Sequence, residues 1–294
     1  MNDYKSILNR DGFVKIRSTL TTAEISRIKA KLCNMSENQR VRQVSELISD
    51  PDVQRLLNDN NLLKVLRDLY TDPVFYPSLQ TQFNSFTQKR SFKRRYGLHI
   101  DGANELKFRS NAFRKHTPTW TNIGFYFQDA QNSGYGGGIC GSTKLYKLIR
   151  YLLRMPFGFT VASLILKLAK KTFPDFLLPE IKTEPGDFVV FDNRFPHASS
   201  VGKKIVEHLK SEQKTKQTFL QNIPRQNNKL VLYVFAGDRE HIDSVINLNF
   251  MPSIENKIEI GDFDYQKAMQ FEVDKFNEHY QIPFVSRNLE KNDA

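Results

Sequence analysis

The spacing of apolar and polar residues divides the chain into a helical N-terminal part and a strand-rich remainder. After a short strand over Asp11–Ile16, apolar residues recur every three or four positions up to about residue 70, which predicts amphipathic helices. These helices are expected after a Thr21-x-x-Glu24 capping signal, over Arg40–Ser49, from an Asp50-Pro51 N-terminus, and over Asn61–Tyr70. We expect residues 18–70 to buttress one face of a sheet.

Beyond residue 70 the pattern favours strands. Pro73–Gln88 is rich in Phe and Thr with polar residues at alternate positions, which is typical of a strand. A Pro185-Gly186-Asp187 turn leads into the apolar run Phe188–Phe191, and Leu230–Gly237 is equally apolar. Both runs predict buried strands.

Candidate metal ligands lie beside these strands. If His99 and Asp101 share a strand, the two-residue period places both side chains on one face and turns Ile100 to the other. His197 follows the Phe188–Phe191 strand, and two His with one carboxylate form the triad that holds non-haem Fe(II). A single His is more often a packing or surface residue, and His116 is a rival ligand, although it lies in a basic loop without a strand pattern.

Residues 143–174 form an unusual insertion. No Asp or Glu occurs between Gln131 and Pro174, and cations punctuate an apolar series that Pro156-Phe157-Gly158 interrupts. Neither half is long enough to span a bilayer, so two short cationic amphipathic helices are predicted. Two interpretations remain open, namely helices lying on an anionic membrane and a helical insertion packed on the expected barrel with its lysines in solvent.

Composition adds constraints on partners and compartment. The formal charge of +11 is compatible with an anionic partner, or simply with solubility, and the basic cluster within Lys89–Tyr96 is either the rim of an anion-binding cleft or a solvated loop. Nucleic acid is not expected, because the cations are not interleaved with stacking aromatics. The sequence has only two cysteines, Cys33 and Cys140, and shows no signal-peptide pattern. We therefore expect a reducing, cytoplasmic location.

Several landmarks together resemble the phytanoyl-CoA dioxygenase branch of the Fe(II)/2-oxoglutarate oxygenases. They occur in that family's order and cover roughly residues 8 to 237. The landmarks are the Asp11–Ile16 strand with its capped helix, His99 and Asp101, the strand Trp120–Asp129, Gly136-Gly137-Gly138, Gly141-Ser142-Thr143-Lys144, and the Pro-Gly-Asp strand leading to His197.

The resemblance implies a fold and a set of cofactors. The expected fold is mostly β with flanking helices around a double-stranded β-helix, also called a jelly-roll or cupin-like core, in one domain over residues 1–294. Fe(II) would be held by His99, Asp101 and His197, with 2-oxoglutarate and O2 as co-substrates. Gln128 and Tyr126 are candidate cofactor contacts. The family anchors the far carboxylate of 2-oxoglutarate with a basic residue. Asn228 stands nearest to that position in this sequence, so the basic residues that flank it, Arg225 and Lys229, are the candidates.

The implied activity is a 2-oxoglutarate-dependent dioxygenase that hydroxylates its substrate. Retention of Asp101 favours hydroxylation over halogenation, since related halogenases lose this carboxylate. The expected substrate is a small or lipid-linked anionic molecule, such as a lipopolysaccharide sugar or a lipid, reached from a peripheral position on the inner membrane surface. The alternatives are oxygenation of a soluble metabolite and a catalytically silent membrane-docking scaffold. The oligomeric state stays open.

Overall fold

The computed structural model describes residues 3–36, 41–43, 47–48, 50–83, 98–100, 120–128, 136–172, 178–201, 230–241 and 282. Within these ranges the chain forms helices and antiparallel strands. The helices are α1 (Tyr4–Asp11), α2 (Thr22–Ser36), α3 (Pro51–Leu57), α4 (Asn60–Leu69), α5 (Thr143–Leu153) and α6 (Gly158–Thr172). The strands are β1 (Phe13–Arg17), β2 (Val41–Gln43), β3 (Pro73–Phe83), β4 (Trp120–Tyr126), β5 (Gly136–Gly141), β6 (Glu180–Ile181), β7 (Asp187–Asp192), β8 (His197–Val201) and β9 (Leu230–Asp238).

The N-terminal helices begin where their capping residues are. The Thr21 N–H donates to the Glu24 carboxylate at 2.7 Å and the Glu24 N–H donates to the Thr21 hydroxyl at 3.3 Å, a reciprocal capping box. Asp50 accepts the N–H groups of Asp52 and Val53, with Pro51 in the first turn of α3. Both predicted helix starts are confirmed.

Two antiparallel sheets carry the strands. The larger sheet has the order β1-β7-β4-β9-β3-β2, and the smaller has the order β6-β5-β8. A bridge between His99 and His197 extends the smaller sheet beyond β8. The strands predicted at residues 73, 188 and 230 are confirmed as β3, β7 and β9.

Two hydrophobic cores lie on opposite faces of the larger sheet. One core joins α1–α4 to outward residues of β4, β7 and β9, such as Phe125, Val190 and Leu232. The other joins inward residues of the same strands, such as Tyr126 and Phe191, to the smaller sheet and to α5. The alternation along each strand therefore buries both faces. The first core confirms the expected helical buttress.

The expectation of a mostly β protein is wrong. Among the described residues, helix residues outnumber strand residues, because α1, α5 and α6 add to the predicted N-terminal helices. The segment Val41–Gln43, predicted as helix, is the edge strand β2 paired with β3. The architecture of the described residues is thus a mixture of helices and antiparallel sheets. Both the jelly-roll closure and the single domain stay predictions.

The insertion forms the predicted pair of helices, α5 and α6, separated at Pro156-Phe157-Gly158. Ser142 caps α5, since its hydroxyl accepts the Leu145 N–H at 3.2 Å. Across the part of the chain that the structure describes, we find no helix with the length and hydropathy of a membrane span. The helix predicted within 263–280 lies outside the described residues.

Candidate functional site

Two of the predicted metal ligands, His99 and His197, lie side by side. Their backbones exchange two hydrogen bonds, with N···O distances of 3.0 Å from His99 to His197 and 2.9 Å in return. Residues directly opposite in an antiparallel pair place their side chains on the same face. The two imidazole rings are accordingly only 4.4 Å apart between centroids.

The ring of His197 has a defined proton position. Its Nδ1 lies 2.9 Å from the carbonyl oxygen of Phe195, and a carbonyl only accepts, so Nδ1 carries the hydrogen. In the neutral ring the lone pair is then on Nε2, which is the arrangement of a metal-binding imidazole with an oriented second nitrogen. The edge of Phe191, with its ring centroid 4.7 Å away, and the rest of the second core leave His197 only 7% exposed.

The third predicted ligand, Asp101, lies outside the described residues, and so does the rival His116. Ile100, between His99 and Asp101, is 4% exposed and packs against Ile149, Leu153 and Ala162 of the insertion. Its burial confirms that Ile100 turns away from the face of His99. Within the described ranges no group of three His, Cys, Asp or Glu residues could hold a metal, so the carboxylate ligand stays a prediction.

A buried ion pair holds the turn before His197. Asp192 and Arg194 are 0% and 2% exposed, and the Arg194 guanidinium donates through Nε at 2.8 Å and through an Nη at 2.5 Å. The Tyr146 hydroxyl of α5 donates to the same carboxylate at 2.6 Å. Burial alone would lower the pKa of Arg194, but the charge and hydrogen bonds of Asp192 raise it. Arg194 therefore stays charged.

This turn connects directly to the tautomer of His197. The Phe195 N–H donates to the Asp192 carbonyl at 2.7 Å, and the Phe195 carbonyl accepts from His197 Nδ1. The ion pair thus fixes the backbone that orients the imidazole. The sequence analysis did not predict the Asp192–Arg194 ion pair. The signal was present in the Asp192-Asn193-Arg194 segment, where two charges interrupt an otherwise apolar run.

The inward face of β4 contributes the predicted residue Tyr126. Its ring is fully buried, and burial together with the neighbouring Tyr233 raises the pKa of its hydroxyl well above the ordinary value, so the phenol stays neutral. On the same face, a Cβ added to Gly124 would lie 3.0 Å from the Tyr233 ring and 3.1 Å from the Tyr126 ring. Gly124 therefore lets the two rings approach each other.

Of the other cofactor candidates, the structure describes Gln128 but not Arg225 or Lys229. Gln128 is 2% exposed, and its Oε1 accepts the Leu230 N–H at 3.0 Å, which joins the end of β4 to the start of β9. A role for Gln128 toward 2-oxoglutarate stays a prediction beside this structural one. Arg225 and Lys229 lie outside the described residues, with Lys229 immediately before the first residue of β9.

No protein-family model matches the sequence, and a search of curated proteins finds no match. Among solved structures, the chain is similar to HygX from Streptomyces hygroscopicus. The iron-bound form has a TM-score of 0.52 at 15% identity, covering 81% of this chain and 87% of HygX. The form with nickel and 2-oxoglutarate bound has a TM-score of 0.53 at 16% identity with the same coverage. At this identity the likeness establishes a shared fold.

Proposed function

We propose that this protein is an Fe(II)- and 2-oxoglutarate-dependent dioxygenase that hydroxylates an anionic substrate. The observation that carries the proposal is the pairing of His99 with His197, in which the His197 Nδ1–H donates a hydrogen bond to a backbone carbonyl. Two imidazoles so arranged are suited to ligate one divalent iron through His197 Nε2 and a ring nitrogen of His99. The fold shared with HygX, which has been crystallised with iron and with nickel and 2-oxoglutarate, supports the same conclusion.

Each residue has a proposed role. His99, His197 and Asp101 would hold Fe(II), and Lys229 or Arg225 would bind the far carboxylate of 2-oxoglutarate. Bound iron supplies the chemistry in which O2 converts 2-oxoglutarate to succinate and CO2 and places one oxygen atom in a substrate C–H bond. The buried rings of Tyr126 and Phe191 would exclude water from the site, and the neutral phenol of Tyr126 would donate a hydrogen bond to a carboxylate.

The substrate class rests on charge. We propose a small or lipid-linked anionic molecule, because the sequence places the basic segment Lys89–Tyr96 just before His99 and the cationic insertion packs on Ile100. The phytanoyl-CoA dioxygenase branch is the finer family assignment that this proposal favours. The two other candidates are an oxygenase of a soluble metabolite and a silent scaffold, and turnover of 2-oxoglutarate separates the scaffold from both enzymes.

The test is anaerobic reconstitution with Fe(II) and 2-oxoglutarate. The visible charge-transfer band is recorded first, and succinate release is measured after oxygen is added. Wild type should give both signals. The His197→Ala variant should lose the band and lower succinate formation at least about a hundredfold, because it removes a metal ligand. His116→Ala is the matched control and should retain both signals.

Three results would contradict the proposal or one of its parts. Well-folded wild type that gives neither band nor succinate would favour the silent scaffold. A band that survives in His197→Ala and disappears in His116→Ala would mean that the wrong histidine has been assigned. Turnover that depends on an added soluble metabolite, with no effect of anionic lipids, would favour the soluble-substrate alternative.

A further inference from the structure

The hairpin formed by α5 and α6 has one face packed on the protein and one face exposed. Its buried side consists of Tyr146, Ile149 and Leu153 from α5 with Ala162 and Ala169 from α6. Tyr146 reaches the Asp192 carboxylate, and Ile149 and Leu153 pack on Ile100 between the proposed ligands. This side confirms the packed-insertion interpretation. It also leaves the opposite face of the hairpin to be explained.

The opposite face concentrates exposed apolar side chains. Every large apolar side chain that the described residues leave exposed belongs to this hairpin or its turn. They include Leu148, Tyr151, Met155, Phe157, Leu164 and Leu168, with exposures between 39% and 83%. Scattered exposed apolar residues are normal on a soluble protein, but their concentration on one element marks an interaction surface.

Phe157, at the tip of the hairpin, combines exposure with backbone strain. Its φ is 62°, a conformation that bulky residues rarely adopt, and 83% of it is exposed. The turn is tight, since a Cβ on Gly158 would lie 1.6 Å from the Leu152 carbonyl oxygen. An aromatic ring held outward at this strained position gains little from the protein itself, which indicates a contact made elsewhere.

Positive charge lies along the same surface. A cleft of about 440 Å³ between α1 and α5 is lined by Arg10, Lys147, Arg150 and Arg154 together with Ser6, Asn9 and Tyr151. Asp11, beside it, is ion-paired to Arg10 at 2.7 Å. Because no acidic residue occurs between Gln131 and Pro174, every charged side chain that the hairpin contributes to this cleft is a cation. The cleft therefore favours an anionic group next to the apolar face.

We propose that the α5–α6 hairpin docks the protein on an anionic lipid bilayer, with Phe157 inserted among the acyl chains and the basic cleft against phosphate headgroups. Apolar residues flanked by cations are the combination by which short helices bind an anionic interface. This docking proposal extends the proposed function and rests on it. The hairpin packs on Ile100, so a docked hairpin would hold the neighbouring His99 close to lipid-linked substrates.

A bilayer fits this surface better than a second copy of the chain. A two-fold interface would bring the hairpin against its own image, so the cations of one copy would face the cations of the other. Like charges placed together at an interface oppose association. An anionic membrane satisfies both the apolar and the cationic parts of the surface.

The test measures binding of the apo protein to sedimented vesicles of phosphatidylcholine, with and without phosphatidylglycerol. Wild type should bind the mixed vesicles and bind pure phosphatidylcholine much less. Phe157→Gly should lower the partition coefficient roughly tenfold because it removes the inserted ring, while leaving the fold intact because glycine accepts a positive φ. Lys144→Gln with Lys147→Gln should lower it roughly tenfold by removing two cations.

Matched controls separate location from net charge. Lys64→Gln with Lys182→Gln removes the same charge at exposed positions off the hairpin and should bind like wild type. In a Phe157→Trp variant, emission should shift to the blue on adding mixed vesicles, because the one native tryptophan, Trp120, is only 3% exposed and reports little of the surface.

Three results would overturn the docking proposal. The first is no binding of wild type to mixed vesicles. The second is equal binding by the hairpin and control variants, which would place the membrane contact elsewhere. The third is a concentration-dependent dimer that Phe157→Gly abolishes, which would assign the surface to self-association. None of these assays requires iron or 2-oxoglutarate, so their failure leaves the oxygenase proposal standing, and the reverse also holds.

Discussion

Two cations compete for one role in the proposed site, since Arg225 and Lys229 both precede β9 and only one is needed to bind the far carboxylate of 2-oxoglutarate. Arg offers a planar, two-pronged contact and Lys offers a point charge. A charge-assisted contact of this kind contributes about 1.5–3 kcal/mol. Its loss should therefore raise the KM for 2-oxoglutarate about ten- to a hundredfold.

Each variant serves as the control of the other. Arg225→Met and Lys229→Met are compared by succinate formation over a range of 2-oxoglutarate concentrations, and only the anchor should show the raised KM while kcat stays near wild type. If both variants keep the wild-type KM, neither residue is the anchor.

Single residues also show how much of the site the sequence can predict. The two-residue period was enough to separate His99 from Ile100, and the structure confirms that separation through the burial of Ile100. The contact of His197 Nδ1 with the Phe195 carbonyl could not be predicted, because it depends on the backbone of a turn. Side-chain alternation is a local property, whereas a carbonyl two residues away has no sequence signature.

The turn between β7 and β8 should depend on the Asp192–Arg194 pair. Removing one partner of a buried ion pair leaves the other charge without compensation. Arg194→Met should therefore lower the free energy of unfolding by about 3–5 kcal/mol, measured by urea denaturation followed by circular dichroism. Because Phe195 lies in this turn and His197 directly follows it, the same variant should also weaken Fe(II) binding.

Two further variants test whether the effect arises from the buried charge. Arg10→Met removes an ion pair with Asp11 in which the arginine is 65% exposed, so the urea midpoint should not change. Combining Arg194→Met with Asp192→Asn removes both charges and should recover part of the lost stability. If the double variant is no more stable than Arg194→Met, uncompensated charge is not the cause.

At the level of elements, residue spacing correctly predicted the features that local interactions determine. The starts of α2 and α3 were predictable because capping is decided within four residues. The strand β2 was predicted as helix because its pairing with β3, nearly forty residues later in the chain, is invisible to spacing. Helix α1 was missed for a similar reason, since Leu8 is buried by distant residues, although Gly12 at a φ of 87° marks its end.

For the whole molecule, the sequence predicted the elements better than their proportions. Most of the landmarks that resemble a β-rich family lie in or beside strands, and none covers α1 or the body of the helical insertion, so they gave little weight to these helices. The insertion itself was read correctly as two helices. Of its two open interpretations, the structure bears on the packed one, and the membrane one stays a proposal. The inner face packs on Ile100, which the structure establishes, and the outer face carries the membrane proposal.

The stability of the whole molecule should not require iron, but should respond to it. Both cores are made of apolar side chains packed between sheets and helices, and neither core depends on a metal ligand other than through the packing of the His197 ring. Chelation with EDTA should therefore leave the circular dichroism spectrum unchanged. Ligands that bind only the folded state stabilise it by about 2.7 kcal/mol at a hundred times their Kd.

For a chain of 294 residues this stabilisation corresponds to a rise in Tm of roughly 4–5 °C. Differential scanning calorimetry under anaerobic conditions should show the rise when Fe(II) and 2-oxoglutarate are added together. His197→Ala should fold and show no rise, whereas His116→Ala should show the full rise. A chain that unfolds on chelation would contradict the view that the cores are stable without the metal, and would make the metal part of the fold.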